Sequence, residues 1–192
     1  MKFPRCLALL STLTLAGCLF PERPAPPRLF APVVAARSAH LGAPGLAVRL
    51  RPLRAPLHLR EAIAWRRGEA EFGQYEQRQW TELPATYVER TLDDALASDG
   101  IEVTKRADAP TLSLELRRFE EVLSPAHEAV VEVELTVTIA DRPVLERRVS
   151  SREPISDDDP ALVALAIGVA LDEVATEVAR SVRRTLPGRR AR

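Results

Sequence analysis

Val131-Glu132-Val133-Glu134-Leu135-Thr136-Val137-Thr138-Ile139 is the stretch that decides the fold. Its odd-numbered residues are all apolar, and its even-numbered residues are all charged or hydroxylated. Side chains on a strand alternate between faces, so this spacing predicts a strand with one face in a core and the other in water. A half-solvated sheet favours antiparallel pairing, since parallel sheets are covered on both faces. Asp141-Arg142-Pro143 predicts a turn, and Val144–Ser151 a returning strand. Upstream, Leu112, Leu114 and Leu116 alternate with Ser113, Glu115 and Arg117 and predict another strand.

Working outward, the period changes from two to 3.6. Val88, Leu92, Ala95 and Leu96 share one helical face, with Thr81 as the expected N-cap, Pro84 in the first turn and Gly100 just past the end. A second, longer helix starts at Asp159-Pro160, a capping side chain followed by a proline whose missing N–H costs nothing there. Val163, Ile167, Ala170, Leu171, Val174, Val178 and Val182 form its stripe. Its first half also carries Leu162, Leu165 and Val169 on another side, so it is either buried on two sides or offers a surface to a partner. Leu46–Leu53, Ile101–Lys105 and a hairpin of Glu61–Arg67 and Glu69–Gln77 turning at Gly68 complete the elements. The order strands, helix, strands, helix predicts an α+β domain: a mainly antiparallel sheet with two helices packed on one face.

The ends of the 192-residue chain have a different composition. Lys2 and Arg5 precede the uncharged, mostly apolar run Cys6–Ala16. That is the charge-then-apolar order of a secretory signal peptide, and the run is too short to span a bilayer. Pro21, Pro24, Pro26, Pro27, Pro32 and Pro44 crowd into Leu19–Gly45 and predict a semi-rigid, extended spacer. Leu29, Phe30, Val33 and Val34 interrupt it as a candidate first strand, which Pro32 would confine to a sheet edge. The expected divisions are a signal peptide over 1–17, a tether over 18–45, one domain over 46–187 and a basic tail over 188–192.

Charge and chemistry narrow the function classes. Lys plus Arg number 27 and Asp plus Glu 27, so no excess positive charge points to nucleic acid. Of the two cysteines, Cys6 leaves with the signal, so the domain must stand on its apolar core without an internal disulfide. His40, His58 and His127 lack metal-ligand spacing and read as solvated surface residues. Ser156–Asp159 is acidic, as suits a helix N-terminus, and lacks the calcium-loop pattern. Glu120 and Glu121 are adjacent, so on a strand they face opposite ways and cannot form an acid–base pair. Arg117-Arg118-Phe119-Glu120-Glu121 reads as a charged strand edge. Trp65 and Trp80 are candidates for core packing, and Arg49, Arg51, Arg54, Arg60, Arg66 and Arg67 form a basic cluster near the first strands. The expectation is a protein that is not an enzyme, with no catalytic residues, metal or cofactor.

Leu15-Ala16-Gly17-Cys18 resembles the lipobox of bacterial lipoproteins, where the signal is cut between Gly17 and Cys18 and the sulfur of Cys18 is lipidated. Behind it, several landmarks follow in order: Val48–Pro56 with His58-Leu59, then Ile63-Ala64-Trp65, then Trp80 with Leu83, Leu92 and Leu96, and the long last helix. Together these resemble the ABC-type transport auxiliary lipoproteins, including the paraquat-inducible protein C type. The resemblance implies a lipid-anchored, non-enzymatic subunit on the periplasmic side of the outer membrane. It would work with an MCE-domain protein and ABC transporter subunits in moving lipid. Leu162, Leu165 and Val169 are the candidate partner contacts, with self-association as another use of that surface. The alternative is a lipoprotein of another envelope assembly or secretion complex.

Overall fold

The computed structural model describes residues 25–38 and 45–186. Its elements are β1 (Arg28–Phe30), β2 (Leu46–Leu50), β3 (Ala62–Arg67), β4 (Glu71–Trp80), α1 (Pro84–Ser98), β5 (Ile101–Val103), β6 (Thr111–Ser124), β7 (Glu128–Ile139), β8 (Arg142–Pro154) and α2 (Pro160–Thr185). All eight strands join one sheet. The chain is α+β with two helices, as the pattern predicts, but the sheet is mixed. β3–β4, β6–β7 and β7–β8 are antiparallel, whereas β1–β4, β2–β5, β2–β6 and β3–β6 are parallel. The expectation of a mainly antiparallel sheet fails for a topological reason. The strict alternation of β7 reports on β6, β7 and β8, and the strands before α1 return to β6 from its other side. There β2 pairs with the start of β6 and β3 with its end.

Two ends of the sheet follow from this register. The distal end holds the starts of β2 and β6 and the β7–β8 turn. The proximal end holds the β3–β4 turn, the β6–β7 turn and the start of α2. Gly68 makes the first of these turns at φ 63°, where a side chain would be strained. A bulge between Leu116 and Arg118 carries β6 through this length. It shifts the alternation by one, so that Leu112, Leu114 and Leu116 are followed on the inner face by Phe119.

Val131, Val133, Leu135 and Val137 are completely buried, while Ile139, at the end of β7, packs against the core and is partly exposed. α1 buries Tyr87, Val88, Leu92, Ala95 and Leu96. Its Tyr87 ring stacks on Phe119 at 6.5 Å, and Trp80 meets Phe119 edge-on at 5.4 Å. The expected cap at Thr81 does not form. Leu83 precedes the first turn without a side-chain cap, and Thr81 Oγ1 instead lies 2.6 Å from the Tyr87 hydroxyl. Asp159 does cap α2, accepting from the Ala161 N–H at 3.0 Å. Among the described residues no helix is long and apolar enough to cross a membrane.

Candidate functional site

α2 is apolar on more sides than a sheet requires, and the structure shows what covers the surplus. Arg28–Phe30, inside the expected tether, pairs with β4 at the sheet edge. The chain then crosses α2 as a strap. Val33 backbone lies so close to Gly168 that an added Cβ would stand 2.7 Å from the Val33 carbonyl carbon and 2.8 Å from its nitrogen. Further along, the Arg37 Nη2 donates to the Asp172 carbonyl oxygen at 2.8 Å, to Asp172 Oδ1 at 2.7 Å and to Thr176 Oγ1 at 2.7 Å. Gly168, Asp172 and Thr176 are spaced by four and therefore line one side of the helix. A signal for this was present: a glycine inside a helix costs about 1 kcal/mol against alanine, and a close backbone approach is the usual reason to keep one.

The candidate contact residues divide accordingly. Leu162 is partly buried against the core. Leu165 and Val169 remain 45% and 47% exposed, and Val33 on the strap is exposed as well. Gly17 and Cys18 lie outside the described residues, as do His40 and the 188–192 tail.

The two adjacent glutamates are not on an edge. β6 has partners on both sides, and Glu120 and Glu121 are 1% and 2% exposed. They do face opposite ways. Glu120 accepts from Arg66 Nε at 2.8 Å and Arg118 Nε at 2.7 Å. On the other face Glu121 Oε1 is 2.7 Å from His127 Nε2, and Arg78 stands 4.0 Å away. Burial first, then the Glu121 charge, push the Tyr75 hydroxyl up to about 12. The charged-edge expectation fails here, and so does that of a solvated His127. Neither residue's neighbours are adjacent in sequence, so the pairing was invisible there. The network ties β3, β4, β6 and the β6–β7 turn together. A buried carboxylate held by two guanidiniums is costly to break, about 3–5 kcal/mol, so this arrangement is read as holding the sheet together.

Hollows lie elsewhere on the domain. A cavity of about 260 Å³ at the distal end is lined by Leu46, Ala109, Pro110, Ile139 and Leu186. A groove of about 350 Å³ runs between β8 and α2. In it Ser151 Oγ donates to Glu173 at 2.7 Å, and burial, then Glu173, raise the Glu153 carboxyl. Among the described residues no cluster of three or more His, Cys, Asp or Glu is arranged to hold a metal.

The model of the ABC-type transport auxiliary lipoprotein component family matches residues 29–179, from β1 through most of α2. The chain belongs to this family. The matched span starts within β1 and takes in the strap, so the strap and most of α2 fall within the family's domain. Among solved structures, a Xanthomonas campestris protein is 22% identical, with a TM-score of 0.71, covering 82% of this chain and 96% of that one. A second, described only as an uncharacterized protein, is 13% identical, with a TM-score of 0.63, covering 82% and 99%. A hypothetical protein from Chlamydia trachomatis is 8% identical, with a TM-score of 0.52, covering 73% and 96%. At these identities the likeness is one of fold. No curated protein matches the chain.

Proposed function

We propose that this family member is a non-enzymatic subunit of an MCE/ABC-type lipid transport system, anchored through lipid on Cys18 to the periplasmic side of the outer membrane. It works by docking its α2 surface onto the MCE-domain partner. The observation that carries this reading is the exposure of Leu165 and Val169 while the other large apolar side chains of α2 are buried or partly buried. Neither side chain is needed to complete the core, and both are large and apolar. The family's role as an auxiliary transport component supplies the kind of partner.

The test is Leu165→Glu in the full chain. Leu165 is nearly half exposed, so folding stability should change by no more than about 1 kcal/mol. Co-purification with the MCE partner should be lost. Retained co-purification would move the docking surface elsewhere, and failure of the wild-type chain to co-purify with any MCE or transporter subunit would overturn the proposal. Attachment has its own test: Cys18→Ala should release the protein from the membrane fraction or leave an uncut precursor.

A further inference from the structure

We infer that the proximal part of the sheet face opposite the helices rests on the phospholipid surface, with Leu29, Leu57 and Phe72 as its apolar contacts. The inference rests on the anchoring at Cys18 proposed above and adds which surface of the domain that anchor brings against the bilayer.

Three observations meet at this place. The first is where the chain enters the domain. β1 runs parallel to β4 with Arg28 beside Arg78, so the residues before Arg28 come from the end of β4 that carries Phe72. Ala25, where the described structure begins, is seven residue steps on from Cys18, with six residues between them. Even fully extended, these steps span no more than about 25 Å. A lipid on Cys18 therefore holds this end of the domain close to its membrane.

The second is exposed apolar bulk that the core does not use. Leu57 is 80% exposed, Leu29 61% and Phe72 38%. They share a face. Leu29 stands beside Gln79, and the next pair, Phe30 with Trp80, faces the helix side, where Trp80 meets Phe119, so Leu29 points the other way; Phe72 pairs with Arg66, whose guanidinium reaches Glu120 on that same opposite face. Leu57 precedes His58, whose ring meets Phe72 edge-on at 4.9 Å, and the His58 carbonyl accepts from Gln74 Nε2. The helices lie on the other face, against Phe119 and Val131.

The third is the charge among these side chains. Arg60 Nε donates to the Leu57 carbonyl at 3.1 Å, and the Arg66 guanidinium, whose Nε also holds Glu120, lies 5.5 Å from the Phe72 ring centre and is partly exposed. Apolar tips interleaved with guanidiniums suit the boundary of a bilayer, where tips enter the acyl margin and cations meet phosphate oxygens. Glu61, Glu69, Glu71 and Glu76 are also exposed nearby, so the fit is to a phospholipid surface reached by apolar insertion rather than to a purely electrostatic one. In this pose Leu165 and Val169, on the helix side, face away from the membrane and toward a partner.

The experiment uses the full chain, lipidated in cells and reconstituted into vesicles of phosphatidylethanolamine and phosphatidylglycerol carrying brominated acyl chains. Phe72→Trp reports on the proposed contact. Val144→Trp is the control, an exposed position beside the β7–β8 turn, about 36 Å away along β6 at ~3.3 Å per residue. Phe72→Trp should add emission that the brominated lipid quenches, and Val144→Trp should add emission that it does not. Adding Leu57→Glu and Arg60→Glu to Phe72→Trp should abolish that quenching while the protein still floats with the vesicles. Quenching at Phe72→Trp no greater than at Val144→Trp overturns the inference, as does quenching that survives the two glutamates. If mass spectrometry finds no lipid on Cys18, the anchoring proposal fails and this one with it. If lipid is present and quenching absent, only the contact fails.

Discussion

Gly168→Ala is the sharpest test of how the N-terminal strap and α2 fit. In an isolated helix the change stabilises by about 1 kcal/mol, because alanine loses less conformational entropy. Here the new methyl would press first on the Val33 carbonyl oxygen and stand 2.7–2.8 Å from the Val33 carbonyl carbon and nitrogen, closer than real Cβ contacts come. Backbone has no rotamer by which to move aside. If the strap stays, overpacking costs about 1–3 kcal/mol. If it lifts, the three hydrogen bonds from Arg37 go with it, each contributing about 0.5–1.5 kcal/mol. After the propensity gain, we expect a net loss of about 1–2 kcal/mol by urea unfolding of the full chain. Hydrogen exchange should lose protection over Val33–Arg37. Arg37→Ala loosens the same strap without a clash, so the two changes together should cost less than their sum. A Gly168→Ala chain that gains stability, with Val33–Arg37 still protected, would refute the reasoning and show that the strap yields freely.

Other expectations follow from the core and the surface. Leu135→Ala empties a fully buried site and should cost about 2–5 kcal/mol, whereas its neighbour Thr136→Ala should cost far less; equal losses by urea unfolding would mean the face of β7 is misassigned. Glu177 is held below the usual carboxylate range, first by its hydrogen bond from Arg184, then by the Arg184 and Arg147 charges. A carboxylate whose pKa falls on folding stabilises the fold above its unfolded pKa, and this contribution disappears as pH drops through the folded value. Glu177→Gln should therefore lower the urea midpoint at neutral pH and leave it closer to wild type in acid, and an equal gap at both would show that the ion pairs contribute nothing.

Local periodicity carried much of this molecule. β7, β8, α1 and α2 follow from alternation and helical stripes, and the capping of α2 by Asp159 follows from a rule that needs only neighbouring residues. These features lie within reach of a few bonds, so sequence expresses them directly. β6 was legible only to Arg117, since the bulge at Leu116–Arg118 breaks the alternation that the eye follows. The direction of β2 and β3 beside β6 leaves no local mark, so the antiparallel pattern of β6, β7 and β8 does not carry over to the whole sheet. Burial of Glu120 and Glu121 was hidden for the same reason: their partners Arg66 and His127 come from β3 and from the β6–β7 turn, and only folding brings those charges together. The apolar excess of α2 was plain in Leu162, Leu165 and Val169, but its division was not. Backbone from residues 31–38 covers the Gly168 side and leaves Leu165 and Val169 exposed, because a strap that binds through main-chain contact and one arginine has no hydrophobic period to announce it.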